Sequence, residues 1–591
     1  MTHVTTRCDG RRRTSATGAR DSRSFGTGSE QHLLRFVVHS TSERTPMSFP
    51  QRRDRNRSAA VLAGLLSAVL TLSACGGIGN SQSSGGSSGP VAYDDDATVT
   101  FAGPLVGLDL DPYKAGGLIG GIIDIYDPLI TPQFDLSLKP GLATDWSWSP
   151  DNLKLTLNLR QDVTFSDGTP FDSSAVVASL NRARSGETST QKNALAPITD
   201  VSASGPHSAV VTVKQPFPAL PSLLASPAGF QINPKLINNQ QAILSGAKGI
   251  GTGPYEVTSF KPTTNFELTK RKDYWDAASI QHAPTKFTFL YTNDGNARLN
   301  GLKSGQYQGV QSTGTPGLTG PGALQQTNKD FENTLAPSLY IFGVSFAFDR
   351  APFNNMKVRQ AIQHAVDWNS ITPKVLSDAM LCEPNPPAQL PTAEQLGFNK
   401  DAKAPAFDVG LAKQLLAEAG FPDGKGLPPV TVTSSTASQD IVAAQAMQPA
   451  LAAIGITLNI NSQPSRTFQV AQVTGGNAQM ITVNLTNGGG IDMSLGYNIG
   501  VLSPPGWVDS ASPEGKQYAS LIQQAGQNPA NEQRTQLYQQ AEQVAQQNAF
   551  YIPFCRTQVG YAHTAKVDVN RTFWSHYGAV KASSLTVAKA V

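Results

Sequence analysis

Polar and apolar side chains alternate without a break from Lys154 to Arg160. The three leucines of this stretch therefore share one face of a predicted β-strand and pack inward. Turn-forming residues follow at 166–169, and Asp172 or Ser173 can then cap a helix by accepting an unpaired backbone N–H. The apolar face of that helix contains Val176, Val177 and Leu180. Residues 142–180 thus predict a half-buried strand, a turn and a capped helix.

A second pattern lies in the last third of the chain. Apolar runs at Val430–Thr433 and Ile456–Ile460 flank an amphipathic segment at Asp440–Ile454. A crossover of this length predicts two parallel strands joined by a helix in a right-handed βαβ unit. The unit lacks the G-x-G-x-x-G fingerprint, so a dinucleotide site is not indicated. Met480–Val483 predicts the next strand.

Longer apolar segments indicate how the chain passes between lobes. Tyr340–Phe348 is a strongly apolar strand whose length and position suit a crossing into a second lobe. The helix that follows has one apolar stripe, formed by Val358, Ala361, Ile362, Ala365 and Val366. Near the end of the chain, Glu532–Asn548 predicts a polar helix, and Tyr551–Phe554 would return the chain to the first lobe.

Composition narrows the class of protein. With 591 residues and 39% hydrophobic side chains, the chain can bury large cores and form two or more lobes. Charged residues are only 15% and the net charge is +3, so no basic face for nucleic acid is indicated. We find no nucleophile placed beside a base and no pair of carboxylates with a defined role, so we expect no enzyme activity.

The N-terminal region reads as an export signal. Basic residues after Met47 precede an apolar run at residues 59–74, which is short for a membrane span, and Cys75 follows directly. Residues 76–90 are rich in Gly and Ser and predict a flexible tether. Residues 1–46 have no apolar core of their own, which suggests that translation starts at Met47. We therefore divide this region into a leader (1–46), a signal peptide (47–74) and a tether that begins at Cys75 and extends to residue 96.

The two cysteines outside the N-terminal region are candidates for a disulfide. Cys382 and Cys555 would lie in an oxidising compartment, where a disulfide and two separate buried thiols are both open. Closing so long a loop would contribute about 5 kcal/mol in the chain-entropy model. The His residues show no H-x-x-x-H pattern and no paired Cys/His spacing, so we predict no metal site. Nothing in the sequence indicates a cofactor.

Three stretches resemble one known family. Residues 142–180 contain W-x-x-S-x-D, a strand closing on L-R and D-V-x-F-x-D-G-x-P-F, and residues 251–255 read G-T-G-P-Y. Residues 351–367 resemble the family's P-F-x-x-x-x-V-R-x-A-I-x-x-A-I-D helix. Together they resemble the bacterial extracellular solute-binding proteins of family 5, the peptide, dipeptide and nickel receptors of ABC importers. In such lipoproteins the motif Leu72-Ser73-Ala74-Cys75 would carry the lipid on Cys75.

The resemblance implies an α/β fold with two hinged lobes and a central cleft, the type II periplasmic-binding-protein fold in its enlarged peptide-receptor class. We expect lobe I at 97–343, including a subdomain inserted at about 112–235. Lobe II would occupy 344–555, and 556–591 would return to lobe I.

The ligand site is where the sequence departs from the family pattern. In the peptide receptors, the segment after Met480–Val483 carries a W-x-x-D pattern whose aspartate pairs with the ammonium group of the peptide. Here Asn484 takes the tryptophan position and Asn487 the aspartate position. A neutral amide cannot give a buried ammonium group the charge-assisted bond that it needs. Either Asp492 substitutes, or the ligand has no free amine. Trp507, as a stacking surface, and Tyr113, beside the family-like Leu110-Asp111-Pro112, are further candidate contacts.

These observations predict an exported, monomeric receptor, anchored to the outer face of the cytoplasmic membrane. It would bind a small molecule or short peptide and deliver it to ABC permease subunits by hinge closure. The neutral loop at 484–490 keeps a second interpretation open. In that interpretation the protein is a cell-envelope lipoprotein that uses the same fold for interaction or regulation without transport.

Overall fold

The computed structural model describes residues 92–104, 110–114, 119–312, 317–318, 323–371, 381–382, 404–435, 438–464, 478–486, 509 and 511–589. The leader, the signal segment and Cys75 lie outside these ranges. Within the described ranges, no helix combines the length and the apolar composition that a membrane crossing needs.

The described chain mixes strands and helices along its whole length. The strands are β1 (Thr98–Gly103), β2 (Ile130–Pro132), β3 (Leu138–Pro140), β4 (Ala143–Trp148), β5 (Lys154–Leu159), β6 (Ile198–Gly205), β7 (Ser208–Val213), β8 (Tyr255–Lys261), β9 (Asn265–Lys270), β10 (Lys286–Tyr291), β11 (Gly309–Gln311), β12 (Phe331–Phe346), β13 (Leu381–Cys382), β14 (Val430–Ser435), β15 (Leu458–Gln463), β16 (Met480–Thr486), β17 (Tyr551–Thr564), β18 (Val567–Val569) and β19 (Leu585–Val587). The α-helices are α1 (Ile119–Ile122), α2 (Ser173–Ser185), α3 (Leu220–Leu224), α4 (Gln240–Ser245), α5 (Gly295–Lys303), α6 (Leu324–Thr327), α7 (Met356–Ala365), α8 (Trp368–Ile371), α9 (Val409–Glu418), α10 (Ser438–Ala452), α11 (Pro513–Gln527) and α12 (Asn531–Gln547).

One large sheet runs through the molecule. Its described strands follow the order β15, β14, β16, β12, β17, β11, β1, β10, β9 and β8, and β13 pairs with β17 beside this path. β14 and β15 are parallel and are joined by α10, which confirms the predicted βαβ unit. β1 is likewise parallel to β10 and β11. The sheet thus contains a parallel group on each side of the central antiparallel pair β12 and β17.

Two large apolar cores lie on the two sides of that central pair. The first joins residues from Val99 to Phe289 with residues from Tyr561 to Leu585. The second is built from residues between Phe342 and Cys555 and includes the apolar stripe of α7. Lobe II is therefore built from one continuous stretch of chain, and lobe I from two. The exact lobe boundaries given above remain predictions.

The stretch at 142–180 folds as its pattern predicts. Leu155, Leu157 and Leu159 of β5 are buried, and β5 is an inner strand of a four-stranded antiparallel sheet in the order β4, β5, β7, β6. The carboxylate of Asp172 accepts the backbone N–H of Ser174 at 2.9 Å and caps α2. The cap, strand and turn are confirmed.

The end of the described chain completes lobe I. The buried carboxylate of Asp124 accepts the backbone N–H groups of Ala582 and Ser583 at 2.7 and 3.0 Å. Burial raises the pKa of Asp124 in spite of these bonds and the nearby charge of Lys581. A segment more than 450 positions away in sequence thus satisfies one buried acid.

Two predicted elements need correction. The crossing strand was expected to begin at Tyr340, but β12 begins at Phe331, because its first half pairs with the distant strand β17. The pattern also misses α11, which packs against α12 through the aromatic cluster around Tyr518 and Phe550.

Candidate functional site

β12 and β17 are the strands that connect the two cores. Leu335 pairs with Gly560 on the lobe I side, and Gly343 pairs with Pro553 on the lobe II side. Between these points the register shifts, so that residues 338–340 of β12 lie opposite the single position 557 of β17. Because such a bulge bends the strand and interrupts its pairing, we infer that the lobes hinge at this point.

The carboxyl ends of the lobe II strands lie beside this hinge. β16 runs antiparallel to β12, with Thr486 opposite Tyr340 at the edge of the bulge. β14 is parallel to β16, so the carboxyl end of β14, at Ser435, lies toward the same edge of the sheet as the carboxyl end of β16. In α/β lobes, ligands bind outside the carboxyl ends of parallel strands.

The lobe I strands end at the same place. β11 runs antiparallel to β17, with Gln311 opposite Tyr561, so its carboxyl end points back toward the bulge. β1 is parallel to β11 and ends at Gly103 on the same edge. The carboxyl edges of both lobes therefore face one gap that begins at the hinge.

On the lobe I side of the gap, the described polar groups satisfy one another. The Ser312 hydroxyl donates to the side-chain oxygen of Asn333 at 2.7 Å, and the Asn333 amide donates to the Leu318 carbonyl at 3.2 Å. Thr334 contacts the buried ring of His563 at 3.0 Å, and burial lowers the pKa of that imidazole. These side chains therefore form a hydrogen-bonded network on the lobe I side of the gap.

The lobe II side carries a set of buried polar side chains. The set consists of Thr433, Ser434 and Ser435 at the end of β14, Asp440 at the start of α10, and Thr482 in the first half of β16. Asp440 is the acid of this set. Burial raises its pKa to about 6, although the hydroxyl of Ser435 donates a hydrogen bond that opposes the rise. A shifted acid beside a strand end is typical of a functional site.

Comparison with known proteins identifies the architecture. The family model described as bacterial extracellular solute-binding proteins, family 5 Middle, matches residues 137–501, more than half of the 591 residues. The chain belongs to family 5 of the bacterial extracellular solute-binding proteins. The predicted family is thus confirmed. As a family 5 protein, it is a solute-binding protein of the kind that serves ABC importers and binds peptides or related solutes.

Relatives of this family 5 protein extend over most of its length. The glutathione-binding protein GsiB of Salmonella paratyphi A is 27% identical over 478 residues, which cover 79% of this chain and 89% of GsiB. The PBP AgaA from A. tumefaciens R10, solved with agropinic acid, superposes with a TM-score of 0.70 at 21% identity, covering 84% of this chain and 99% of AgaA. DppA from Helicobacter pylori, solved with the peptide STSA, superposes with a TM-score of 0.68 at 20% identity. The match covers 83% of this chain and 98% of DppA. These two structures confirm the predicted two-lobed α/β fold of the peptide-receptor class.

Only part of the segment expected to bind the ligand lies within the described residues. The backbone of Asn484 lies in β16 opposite Phe342, whose other neighbour is Cys555 on β17. This register places Asn484 at the hinge end of lobe II. Asn487, Asp492 and Trp507 lie outside the described residues, and their roles remain predictions.

Tyr113 lies inside lobe I. Its side chain is buried, and its hydroxyl donates to the carbonyl of Phe230 at 2.6 Å. The guanidinium of Arg182 covers the ring at 5.3 Å from its centre. Burial raises the pKa of this phenol well above its usual range, as expected for a hydroxyl in an apolar core. The structure therefore does not bring Tyr113 to the gap, and a ligand contact there would require the Phe230 bond to break.

Cys555 forms a disulfide and is fully buried on β17. The backbone of Cys382 lies in β13, where it pairs with Thr557, two positions along β17 from Cys555. Position 382 is therefore diagonally across from position 555 at the hinge. This register supports a Cys382–Cys555 disulfide, one of the two alternatives left open by the sequence, and the identity of the partner remains a prediction.

Asp440 was not predicted as a site residue, because its sequence context is that of an ordinary first-turn acid of a helix. One signal was present. Asp440 precedes Ala443, Ala444 and Met447 by three, four and seven positions, so it lies on the apolar face of α10. Among the described residues, no group of three His, Cys, Asp or Glu side chains is placed to hold a metal ion.

Proposed function

We propose that this family 5 protein is the lipid-anchored receptor of an ABC importer, with a peptide or a peptide-like solute as its ligand. The solute would bind in the gap between the lobes and be delivered to the permease subunits. The receptor would act as a monomer at the outer face of the cytoplasmic membrane. Its part is binding and release, without turnover of the solute.

The observation that supports this proposal is the meeting of the two carboxyl edges at the hinge. Gln311 of β11 and Thr486 of β16 end their strands on opposite sides of the same gap. A solute that contacts both edges favours the closed state by the difference in its affinity for the closed and open states. The register shift between Pro337 and Ile341 gives the central strands a place to bend as the lobes close.

The relatives suggest which solutes to test first. GsiB is named as a glutathione-binding protein, and the H. pylori DppA structure contains a four-residue peptide. Both ligands are short and peptide-like. We therefore expect this protein to bind short peptides or conjugates of similar size, with selectivity set by the polar side chains on the two sides of the gap.

Native mass spectrometry of protein lacking residues 1–75 tests the proposal. We expect a co-purified peptide or peptide-like solute that is released on denaturation, and calorimetry with glutathione and a tripeptide library should then rank candidates. A protein that carries no solute and binds no library member would contradict the receptor proposal. It would favour the envelope interaction protein that uses the same fold.

The lipid anchor has its own test. Cys75→Ala should move the protein from the membrane fraction to the soluble envelope fraction, because no other attachment is proposed. Cys8→Ala is the matched control, since a chain that starts at Met47 lacks residue 8. An unchanged membrane fraction for Cys75→Ala would contradict lipidation at this position.

A further inference from the structure

His576 is buried in lobe I with a backbone carbonyl group at each of its two ring nitrogens. It belongs to the 3-10 helix at Phe573–Tyr577, and only 7% of its surface is exposed. Nδ1 lies 2.6 Å from the carbonyl oxygen of Pro337, and Nε2 lies 2.7 Å from the carbonyl oxygen of Phe134. Both distances are at the short end of the range for hydrogen bonds between nitrogen and oxygen. Each ring nitrogen therefore faces an acceptor.

The number of protons on the ring decides whether both contacts can be hydrogen bonds. A carbonyl oxygen only accepts, so both ring nitrogens have to donate. A neutral imidazole has one N–H group and one lone pair, whereas an imidazolium has two N–H groups. With a neutral ring, one of these two contacts would place a nitrogen lone pair against an oxygen lone pair. The arrangement around His576 therefore fits the charged form of the ring.

His563, a second buried histidine of lobe I, has partners of a different kind. Its Nε2 lies 3.0 Å from the hydroxyl of Thr334, and its Nδ1 lies 3.2 Å from the carbonyl of Thr564. A hydroxyl donates as well as accepts, so a neutral ring can satisfy both contacts. Burial lowers the pKa of His563, which agrees with a neutral ring. The two histidines thus differ in the partners that face them rather than in burial.

The two carbonyl groups and the stacked ring stabilise a charge on His576. Hydrogen bonds from a charged donor are shorter and stronger than those from a neutral donor. The imidazole also stacks on the ring of Phe134, with centroids 4.6 Å apart and planes inclined by 11°. The face of an aromatic ring attracts a cation at this distance. Both features offset part of the cost of burying the charge.

Other charged groups near the ring act from the surface of the protein. The described charged or titratable side chains on the hairpin of β2 and β3, on β12, on β17 and beside the 3-10 helix are Asp135, Lys139, Glu332, His563, Arg571 and Lys581. The guanidinium of Arg571 lies 6.0 Å from the centre of the Phe134 ring and opposes a charge on His576. Arg571 is exposed, so water and salt weaken this repulsion. Asp135, next to Phe134, is also exposed and favours the charge.

We propose that His576 is held as an imidazolium and acts as a proton-dependent brace at the lobe I side of the hinge. Pro337 is the last paired residue of β12 before the register shift, and Phe134 lies between β2 and β3. When the ring loses a proton, one of the two carbonyl groups loses its donor, and the contact of the ring with either β12 or the hairpin opens. Because the folded protein holds this proton more tightly than the unfolded chain does, the brace stabilises at low pH and is lost as the pH rises. The inference does not depend on which solute the protein binds.

Nitrogen NMR of the ring tests the protonation state directly, on protein that lacks residues 1–75 and carries 15N-labelled histidine. At about pH 7, where an exposed histidine is mostly neutral, both ring nitrogens of His576 should carry a proton. His563 should carry a proton on one nitrogen only. The signals of His576 are those that disappear in His576→Gln. A His576 ring with one protonated nitrogen at this pH would overturn the inference.

Hydrogen exchange measures the brace itself. Between about pH 6 and about pH 9, exchange corrected for its intrinsic rate should become about 10- to 100-fold faster in peptides from 130–140 and 331–337. This is the size expected for the loss of a hydrogen bond from a charged donor. Peptides from β14 and β15 in lobe II should show no comparable change.

The variants assign this pH dependence to one ring. His576→Gln has no proton to lose in this range, so the pH dependence should vanish, whereas the matched control His563→Gln should keep it. A dependence that persists in His576→Gln, or one that is equally large in β14 and β15, would contradict the brace. If His576→Gln does not fold, chemical-shift assignment of the wild-type ring by through-bond experiments still decides the protonation state.

Discussion

The imidazole Nδ1 of His576 lies 2.6 Å from the carbonyl oxygen of Pro337, the last paired residue of β12 before the hinge bulge. The other ring nitrogen lies 2.7 Å from the carbonyl of Phe134, and the ring stacks on the Phe134 side chain at 4.6 Å. One buried side chain thus connects the hinge strand, the hairpin of β2 and β3, and the 3-10 helix at Phe573–Tyr577. The lobe I side of the hinge is held in place at this point.

His576→Phe should destabilise the protein by about 2 kcal/mol, because the stacking surface is kept while buried carbonyl groups lose their polar partner. The free energy of unfolding from urea titration measures the change. His282→Phe is the matched control, since His282 stacks on Tyr93 and contacts Asp95 at the exposed surface. We expect no resolvable change for the control. Equal effects for the two variants would contradict a special role for His576.

Asp111→Asn should lower the free energy of unfolding by about 3 kcal/mol. The substitution leaves Arg182 without the carboxylate that the guanidinium contacts at 2.5 Å in lobe I. Burial alone would raise the pKa of Asp111, but the hydrogen bond and charge of Arg182 outweigh burial and hold the pKa below its usual value. The stability that this pair contributes is therefore present above the ordinary aspartate pKa and is lost as the pH falls through the lowered one. Thermal unfolding between pH 2 and pH 7 should show a smaller acid dependence in the variant than in the wild type. Asp162→Asn, which changes an exposed acid at the surface of lobe I, is the control and should leave the acid limb unchanged in shape.

Asp440→Asn should make the ligand-free protein more stable above about pH 6. The pKa of Asp440 is raised from 3.8 to about 6 in the folded state, so its contribution favours folding at low pH and is lost as the pH rises through about 6. At pH 7.5 the variant should therefore gain up to about 3 kcal/mol, and near pH 4 the two proteins should be similar. Chemical denaturation at the two pH values checks this. A variant less stable than the wild type at pH 7.5 would mean that the carboxylate makes a stabilising contact.

Cys382→Ser should expose one free thiol and lower the free energy of unfolding by about 2 to 5 kcal/mol, if Cys382 is the partner of Cys555. Thiol titration under denaturing conditions, on protein lacking residues 1–75, should find none in the wild type and one in the variant. A reductant should bring the wild type to the stability of the variant. Two free thiols in the wild type, or a Cys555–Cys555 link between two molecules in peptide mapping, would rule out this pairing.

Local pattern predicted most of the secondary structure, because alternation, helix stripes and caps depend on neighbours in sequence. The capped helix after Asp172 and the parallel pair β14 and β15 were both predicted from such signals. Contacts between distant segments were not predictable. From its neighbours in sequence, Tyr113 is expected in an exposed loop. In the fold its hydroxyl donates to the carbonyl of Phe230, 117 positions away. The first half of β12 is polar and contains Pro337, and it becomes a strand only because β17 pairs with it.

The location of the candidate site remains a prediction. The loop after β16 was expected at a strand end facing the second lobe, and the register of Thr486 and Tyr340 agrees with that location. Asp440 was not predicted because its burial depends on how α10 packs against β14. A first-turn aspartate has the same sequence context whether it caps a helix or is buried against a sheet.

The unequal construction of the two cores has a consequence for how the protein is made. The lobe II core uses residues 342–555 without interruption, whereas the lobe I core needs Tyr561, Val567 and Leu585 as well as residues from the start of the domain. During export the chain emerges from its N-terminal end, so lobe II can complete its core while lobe I still exposes apolar surface. The late arrival of the second half of β17, after Cys555, and of the segment that bonds Asp124 then closes lobe I. Premature termination anywhere after lobe II would yield a molecule with one finished lobe and one that envelope proteases can degrade.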